Sequence, residues 1–329
     1  MSSINYIDFS TRNPSKQRCG DASFAGAVEV SGEKVILLLV ADGVSKSPKD
    51  WLASRSAVDF IVAAMQQSTK SICEALKEAV ETANSKICAG VENTFGMLTT
   101  LSAVVYHPDN EKLYWCNIGD SRIFGLKNNE WHQLTIDDST SMPYKENGKL
   151  KLQNGIPLML SALTKAIGQD SSFQLTINEI DVTEYKALAL ASDGFYDLTG
   201  FNHYASELAA SADMEKKAMA IQSDIVSQIR DDASIAVIRL PRKRDFDLRS
   251  YIMEQNNSDI EPVETLEVLE QEIKQAVLNQ DHEYLEKILA FMNINRFFYT
   301  KPKMIELLEY LIANKSPMVH EMTLLIRKI

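Results

Sequence analysis

Two apolar runs of strand length open the pattern, ASFAGAVEV at residues 22–30 and KVILLLVA at 34–41. Ser31-Gly32-Glu33 between them is a short Gly-containing connection, so the pair predicts a β-hairpin. Asp42-Gly43 ends the second run. Over residues 51–88 the period lengthens, with Val58, Ile61, Val62 and Met65 followed by Ile72, Leu76, Val80 and Ile87, which predicts two helices. Strand-like runs return at 100–106, 112–118 and 121–125, separated by turn signals at 107–110 and at Gly119-Asp120. The order is β-β-α-α-β-β-β, in which hairpins and grouped helices predict antiparallel sheets with helices on their faces rather than alternating βαβ units.

Residues 137–169 are weakly periodic and punctuated by Gly and Pro, as functional loops often are. Strands are predicted again at 173–180 and 187–191, a helix at about 204–229, and a closing strand at 234–240, which Pro241-Arg242-Lys243-Arg244-Asp245 breaks. Beyond Asp245 glycine disappears and the pattern is helical throughout. Leu266, Leu269, Ile273, Ala276 and Val277 form one apolar face, Leu285, Ile288, Leu289 and Met292 a second, and Ile305, Leu308, Leu311 and Ile312 a third. Residues 256–262 look like a linker. The expected organisation is therefore a mixed α+β domain over 1–244 and an all-α module over 245–329, whose stripes form a small bundle or dock a partner.

Composition narrows the classes of function. The chain has 329 residues, 45% of them hydrophobic and 24% charged, within the globular range. Its formal charge of −11 disfavours nucleic acid and anionic membrane surfaces as partners. The most apolar run, Val35 to Ala41, is too short to span a bilayer, and the start MSSINYIDFSTRNPSKQR has no apolar signal core. Cys19, Cys73, Cys88 and Cys116 show no paired spacing and are read as reduced thiols, and the five His are scattered singly. A cytoplasmic location is expected.

The candidate chemistry lies in aspartates placed where strands begin or end. Asp42 follows VILLLVA, Asp120 follows WCNIG, Asp193 follows LALAS, and Asp231-Asp232 precede SIAVIRL. Carboxylates gathered at converging strand ends repel one another unless a hard cation neutralises them, which points to a divalent metal. Any one Asp-Gly is more simply a turn; the whole ordered set carries more weight. Read in order, QRCGDASF, LLLVADGV, LTTLSAVVYH, CNIGDSRIF, HQLTIDDS, LTKAIGQD, LALASDGFYDL and DDASIAVI resemble the metal-dependent PPM, or type 2C, family of protein serine/threonine phosphatases over about residues 17–240.

That resemblance implies an α-β-β-α sandwich of two antiparallel sheets flanked by helices, carrying two manganese or magnesium ions and a third, weaker position. Asp42 matches the carboxylate that bridges the two ions, with the Gly43 carbonyl beside it; Asp193 and Asp231 match the other direct ligands, and Asp21 an acid that reaches the metals through water. Asp120 and Asp197 match the third position. The implied reaction is in-line attack of metal-bridged hydroxide on a phosphoserine or phosphothreonine ester of a phosphoprotein, with Asp42, Asp193 and Asp231 the central residues. Oxygen-only ligands suit magnesium or manganese, and paired ions supply both a nucleophile and charge neutralisation.

The chain departs from the family pattern in its accessory groups. Where DGxGG or DGHGG is usual it has Asp42-Gly43-Val44-Ser45, so the His proposed as general acid in some members is missing. Lys16 stands at the phosphate-binding Arg position, with Arg18 as its alternative for substrate contact; Gly20 replaces a Glu, and Leu98 replaces the Gly of Gly-Thr-Thr. An alternative reading is therefore a catalytically weak PPM-like binding or regulatory module. Retention of Asp42, Asp193 and Asp231 favours the enzyme.

Overall fold

Ser31 and Gly32 have φ of 53° and 83°, the left-handed backbone of a two-residue hairpin turn. They join β2 (Asp21–Val30) to β3 (Glu33–Asp42), in a register that runs from Val30 opposite Glu33 to Asp21 opposite Asp42. The computed structural model in which these elements are seen describes residues 5–240, apart from 46, 48, 92–93, 109, 111, 147–148, 154–155, 158, 172–173 and 182–184. It also describes residues 270, 273–279, 281, 284–286, 288–289, 301–316 and 318–326.

The unbroken apolar run of β3 has a simple cause: both of its faces are buried. Leu37, Leu39 and Ala41 pack with helices α1 (Asp50–Gln67) and α2 (Ile72–Cys88), whereas Ile36, Leu38 and Val40 face the other sheet. β4 (Leu101–His107), β5 (Lys112–Ile118) and β14 (Asn178–Asp181) complete a five-stranded antiparallel sheet of order β14-β5-β4-β3-β2. The second sheet has the order β1-β16-β15-β6-β7, from β1 (Asn5–Thr11), β16 (Ala233–Arg239), β15 (Ala187–Ala191), β6 (Arg122–Lys127) and β7 (Glu130–Gln133).

Leu188, Leu190, Ala236 and Ile238 turn inward against the first sheet. Ala189, Ala191, Ile235 and Val237 turn outward beneath α3 (Asp193–Tyr196), α4 (Phe201–Ala210) and α5 (Met214–Ile225). The result is the expected α-β-β-α sandwich of two antiparallel sheets. A buried polar chain stitches the sheets near one edge, where Ser23 Oγ donates to Asp8 and lies 3.0 Å from Ser10 Oγ, to which Ser234 Oγ donates at 2.6 Å.

Several local expectations need correction. β1 is an unpredicted strand whose register is set entirely by β16, from Asn5 opposite Arg239 to Thr11 opposite Ala233. The helix expected at 204–229 is two helices, because Asp213 caps the second by accepting the Lys216 N–H at 2.9 Å. Only Asn178–Asp181 of the strand expected at 173–180 joins the sheet. The loop expected at 137–169 is an arm built on β8 (Ser139–Pro143) paired with β13 (Met159–Leu163), with the short pairs Lys145–Glu146 with Lys149–Leu150 and Leu152–Gln153 with Ile156–Pro157 inside it.

The chain divides into two compact units, one ending at Pro241 and the other beginning at Arg242. In the second, α6 (Lys301–Ala313) and α7 (Val319–Ile326) share a core with residues 273–289, in which Ile273, Ala276, Leu285, Ile288, Met304, Leu307, Leu311 and Met322 are buried. The buried stripe of α6 is rotated from the expected one. Met304, Leu307 and Leu311 point inward, while Ile305 and Ile312 are 42% and 54% exposed. Leu266, Leu269, Met292 and the linker lie outside the described residues. All four cysteines are free, and no described helix is long and apolar enough to cross a membrane.

Candidate metal centre

Asp21 and Asp42 stand directly opposite each other at the open end of the β2–β3 hairpin. Like charges in that position are unfavourable unless something neutralises them. Asp42 is held on both sides of its backbone: its N–H donates to Thr100 Oγ1 at 2.9 Å, and its carbonyl accepts the Thr100 N–H and the Thr99 hydroxyl. Asp21 is 7% exposed and accepts a hydrogen bond from Ser192 Oγ at 2.7 Å. Ser192, just before α3, brings Asp193 in from the second sheet, and the Ser192 and Ser234 backbones join β15 to β16 beyond Asp231-Asp232.

Glycines permit this crowding by close approach. A Cβ on Gly194 would lie 1.9 Å from the Asp232 carbonyl oxygen, and one on Gly43 would lie 2.3 Å from the carbonyl of Asp50. Both Asp-Gly steps therefore let a second backbone pass beside the acid, which a plain turn does not require.

The carboxyl groups perturb one another strongly. Burial raises the Asp21 pKa to about 7, against the opposing hydrogen bonds from Ser192 and Asp42. Burial followed by the charges of Asp21 and Asp193 pushes Asp42 well above the carboxylate range. The neighbouring carboxyl groups thus hold one another away from full ionisation, Asp42 most strongly. Asp193 is raised by burial and then by the charge of Asp231. Asp120, after the positive-φ Gly119, is pushed up to about 6 by burial and by Asp193.

The remaining sequence candidates take more peripheral positions. Asp197 is exposed, one turn beyond Asp193, and its charge reaches Asp193 and Arg122. Arg122 of the GDSR step pairs with Asp137 in a forked contact of 2.7–3.2 Å and stacks 4.0 Å over the ring of Tyr196, whose hydroxyl donates to the Asp120 carbonyl. Asp138 fixes the neighbouring turn through Gly119. Arg18 is exposed and lies 4.2 Å over Trp51. Lys16 makes an ion pair with Asp231 and another with Asp232 at 2.9 Å. Among the described residues no three acidic, His or Cys side chains form a ready-made cage about one point, and the Asp231 carboxylate is turned onto Lys16.

One residue of importance was missed in the sequence. Asp232, 1% exposed, accepts the backbone N–H groups of Asn13 at 2.7 Å and Gly20 at 2.6 Å, and so ties the β1–β2 connection to the start of β16. The carboxylate of Asp50 lies 3.0 Å from where a Cβ on Gly20 would be, so an acid already stands beside that position.

The family model for protein phosphatase 2C matches residues 11–226. Two antiparallel sheets between helices, with acids collected at strand ends, are thus the scaffold of a phosphatase, and the chain belongs to the protein phosphatase 2C family. It is 29% identical to protein phosphatase PhpP of Streptococcus pneumoniae over 169 residues, 49% of this chain and 68% of PhpP. It is 24% identical to the serine/threonine phosphatase stp of Listeria welshimeri over 202 residues, 59% of this chain and 79% of that one.

Solved structures share the fold. The catalytic domain of the serine/threonine phosphatase PstP in complex with two manganese ions superposes with a TM-score of 0.53 at 22% identity, over 72% of this chain and 98% of that one. Stp1 from Staphylococcus aureus gives 0.56 at 17% identity, over 73% and 96%.

Proposed function

We propose that this chain is an active, divalent-metal-dependent phosphatase of phosphoserine and phosphothreonine in proteins. The observation that carries the reading is the gathering of acids at one end of the sandwich: Asp21 stands directly opposite Asp42, Asp193 bears on Asp42, burial raises all three, and the charges of Asp231 and Asp120 are within reach. Buried acids that suppress one another's ionisation fit a site for hard cations, and their oxygen-only chemistry fits manganese or magnesium rather than zinc. Membership of the family and the two manganese ions of PstP support the same reading.

Asp42, Asp193, Asp231 and the Gly43 carbonyl would hold two ions, Asp21 would orient water beside them, and Asp120 with Asp197 would form a third, weaker position. Such ions supply an activated water for in-line attack at phosphorus and neutralise the phosphoryl oxygens. The protein's own part is to hold four acids rigidly at strand ends and to keep Asp21 in place through Ser192. Lys16 and Arg18, both on the β1–β2 connection, would meet the phosphoryl group as cations. The C-terminal part of the chain, expected over 245–329, would serve as a module for docking or regulation.

Phosphate release from a phosphothreonine peptide, followed with manganese and with a chelator, tests the reading. Turnover is expected only with manganese, and a chain ended at residue 244 is expected to match the full chain. Absence of turnover by folded, manganese-loaded protein would leave a binding module, and a changed rate on truncation would make the tail regulatory.

The raised carboxyl groups give a pH dependence of definite sign. In the metal-free protein Asp21 titrates at about 7 and Asp120 at about 6, so both carry protons below those values. An ion must displace these protons, and manganese affinity is expected to rise from about pH 5 to about pH 8 with release of protons on binding. Stability follows the same groups in the opposite sense. Asp21 keeps its proton in the fold up to about 7, whereas the unfolded chain loses it near its ordinary value of 3.8, so this contribution is lost as pH rises through that window. Calorimetric titration in buffers of different ionisation enthalpy reads the protons directly; equal heats in all buffers would count against raised carboxyl groups at the centre.

A further inference from the structure

Lys16 lies on the connection between β1 and β2, and its ammonium spans two consecutive acids. The two acids differ in kind. The side chain of Asp232 is 1% exposed and is committed to the Asn13 and Gly20 backbone N–H groups. That of Asp231 is 47% exposed, and among the described residues its other bond is from the Asp232 N–H, which falls on the same oxygen, Oδ1, as Lys16. Asp232 thus fastens the loop, while Asp231 faces the charges of Asp42 and Asp193.

The loop does not depend on the ammonium for its shape. Asn13 Oδ1 accepts the Ser15 N–H and hydroxyl, Asn13 Nδ2 donates to the Ile229 carbonyl, and the Lys16 N–H donates to the Asn13 carbonyl. The Lys16 side chain is 28% exposed. A lysine is a compact charge on a flexible stem, able to swing while its backbone stays fixed. An ammonium and a divalent ion at one carboxylate repel each other at short range.

We propose that Lys16 and the metal ion compete for Asp231: Lys16 is the tethered counter-cation of this acid, and binding of the ion displaces its ammonium toward the place where a phosphoryl group is received. The inference rests on the reading of Asp231 as a metal ligand. It joins two roles that are otherwise separate, because filling the centre also delivers a positive charge for the substrate. Asp231 remains neutralised throughout, first by one cation and then by the other.

Two measurements on the full chain test it. Manganese affinity by calorimetry is expected to be about tenfold tighter in Lys16→Met than in the wild type, the change that follows from losing one charge-assisted competitor at a half-exposed acid. Acetylation of amines in the wild type, mapped by mass spectrometry, is expected to be roughly tenfold faster at Lys16 with saturating magnesium than without, while exposed Lys70 is unchanged. Equal affinities would overturn the proposal, and so would Lys16 labelling that ignores the ion, since a lysine that merely repels the ion from a fixed position would not become more reactive. Should the substitution unfold the protein, the labelling of the wild type still decides. A wild type that binds neither ion overturns the metal centre itself, an outcome distinct from ion binding that leaves Lys16 in place.

Discussion

Asp193→Asn is expected to lower manganese-dependent phosphate release by about 10³-fold, the scale of several kcal/mol of lost charge stabilisation at the reacting centre. The fold should survive the change. Asp193 is the first residue of α3, packed against β16 where Gly194 passes the Asp232 carbonyl, and Asn keeps that shape. In the metal-free protein the substitution removes a charge that burial and Asp231 both disfavour, so the thermal midpoint without metal is expected to hold or rise. The midpoint gain on adding manganese should shrink at the same time, because a ligand stabilises only the state it binds. Loss of activity with loss of fold would make Asp193 structural, and full activity would remove it from the centre altogether. Phosphate release and thermal melts with and without manganese, on the same preparations, separate these cases.

The acids of the centre were legible in sequence because each sits at a strand boundary that the apolar pattern marks, as VILLLVA marks Asp42 and LALAS marks Asp193. The sandwich was legible for the same reason: paired runs with short turns and grouped helices leave few arrangements. What escaped depends on partners far away in the chain. NYIDFST is too polar to announce a strand, and β1 exists because the final strand of the sandwich offers it an edge. Asp232 was assigned no role from the sequence, since its role is set by the backbone of Asn13, 219 residues distant. Lys16 stood at the phosphate-binding position with Arg18 as its alternative, and only packing sends Arg18 over Trp51 and Lys16 to Asp231. The direction of the α6 stripe turned on one step in helix rotation, because Met304, Ile305, Leu307, Leu308, Leu311 and Ile312 make more than one face apolar.

Two of the departures from the family pattern, Lys16 and Gly20, meet on one side of the centre. Gly20, Lys16 and Asp232 meet within a single hydrogen-bonded group, in which the Gly20 N–H and the Lys16 ammonium share Asp232 Oδ2. A side chain on Gly20 would meet Asp50 and Asp232 at 3.0–3.1 Å, so the two acids packed around it favour a small residue there. The absent Glu and the changed cation are in this sense one alteration. The β1–β2 connection has been rebuilt around a buried aspartate, while the acids at the ends of β3 and β15 are untouched.

Removing that buried aspartate should therefore be costly although it is not one of the acids read as metal ligands. Asp232→Ala leaves the N–H groups of Asn13 and Gly20 without their acceptor and takes one of the two partners of Lys16. Each buried donor left unpaired costs about 1–3 kcal/mol, and Lys16, partly exposed, keeps Asp231 as its partner, so the two orphaned N–H groups set the cost. A destabilisation of about 3 kcal/mol is expected, which lowers the thermal midpoint by roughly 10 °C in a unit of this size. Because Gly20 precedes Asp21 and its carbonyl accepts the Gly43 N–H at 3.1 Å, the loosened connection should also disturb both acids of the β2–β3 hairpin end. Manganese affinity is then expected to fall, opposite to the change expected for Lys16→Met. Asp232→Asn, which retains one acceptor oxygen, should lie between Ala and the wild type in both readouts. If Asp232→Ala melted with the wild type, the loop would be held by Asn13 and its neighbours alone, and the buried acid would have no structural part in the centre.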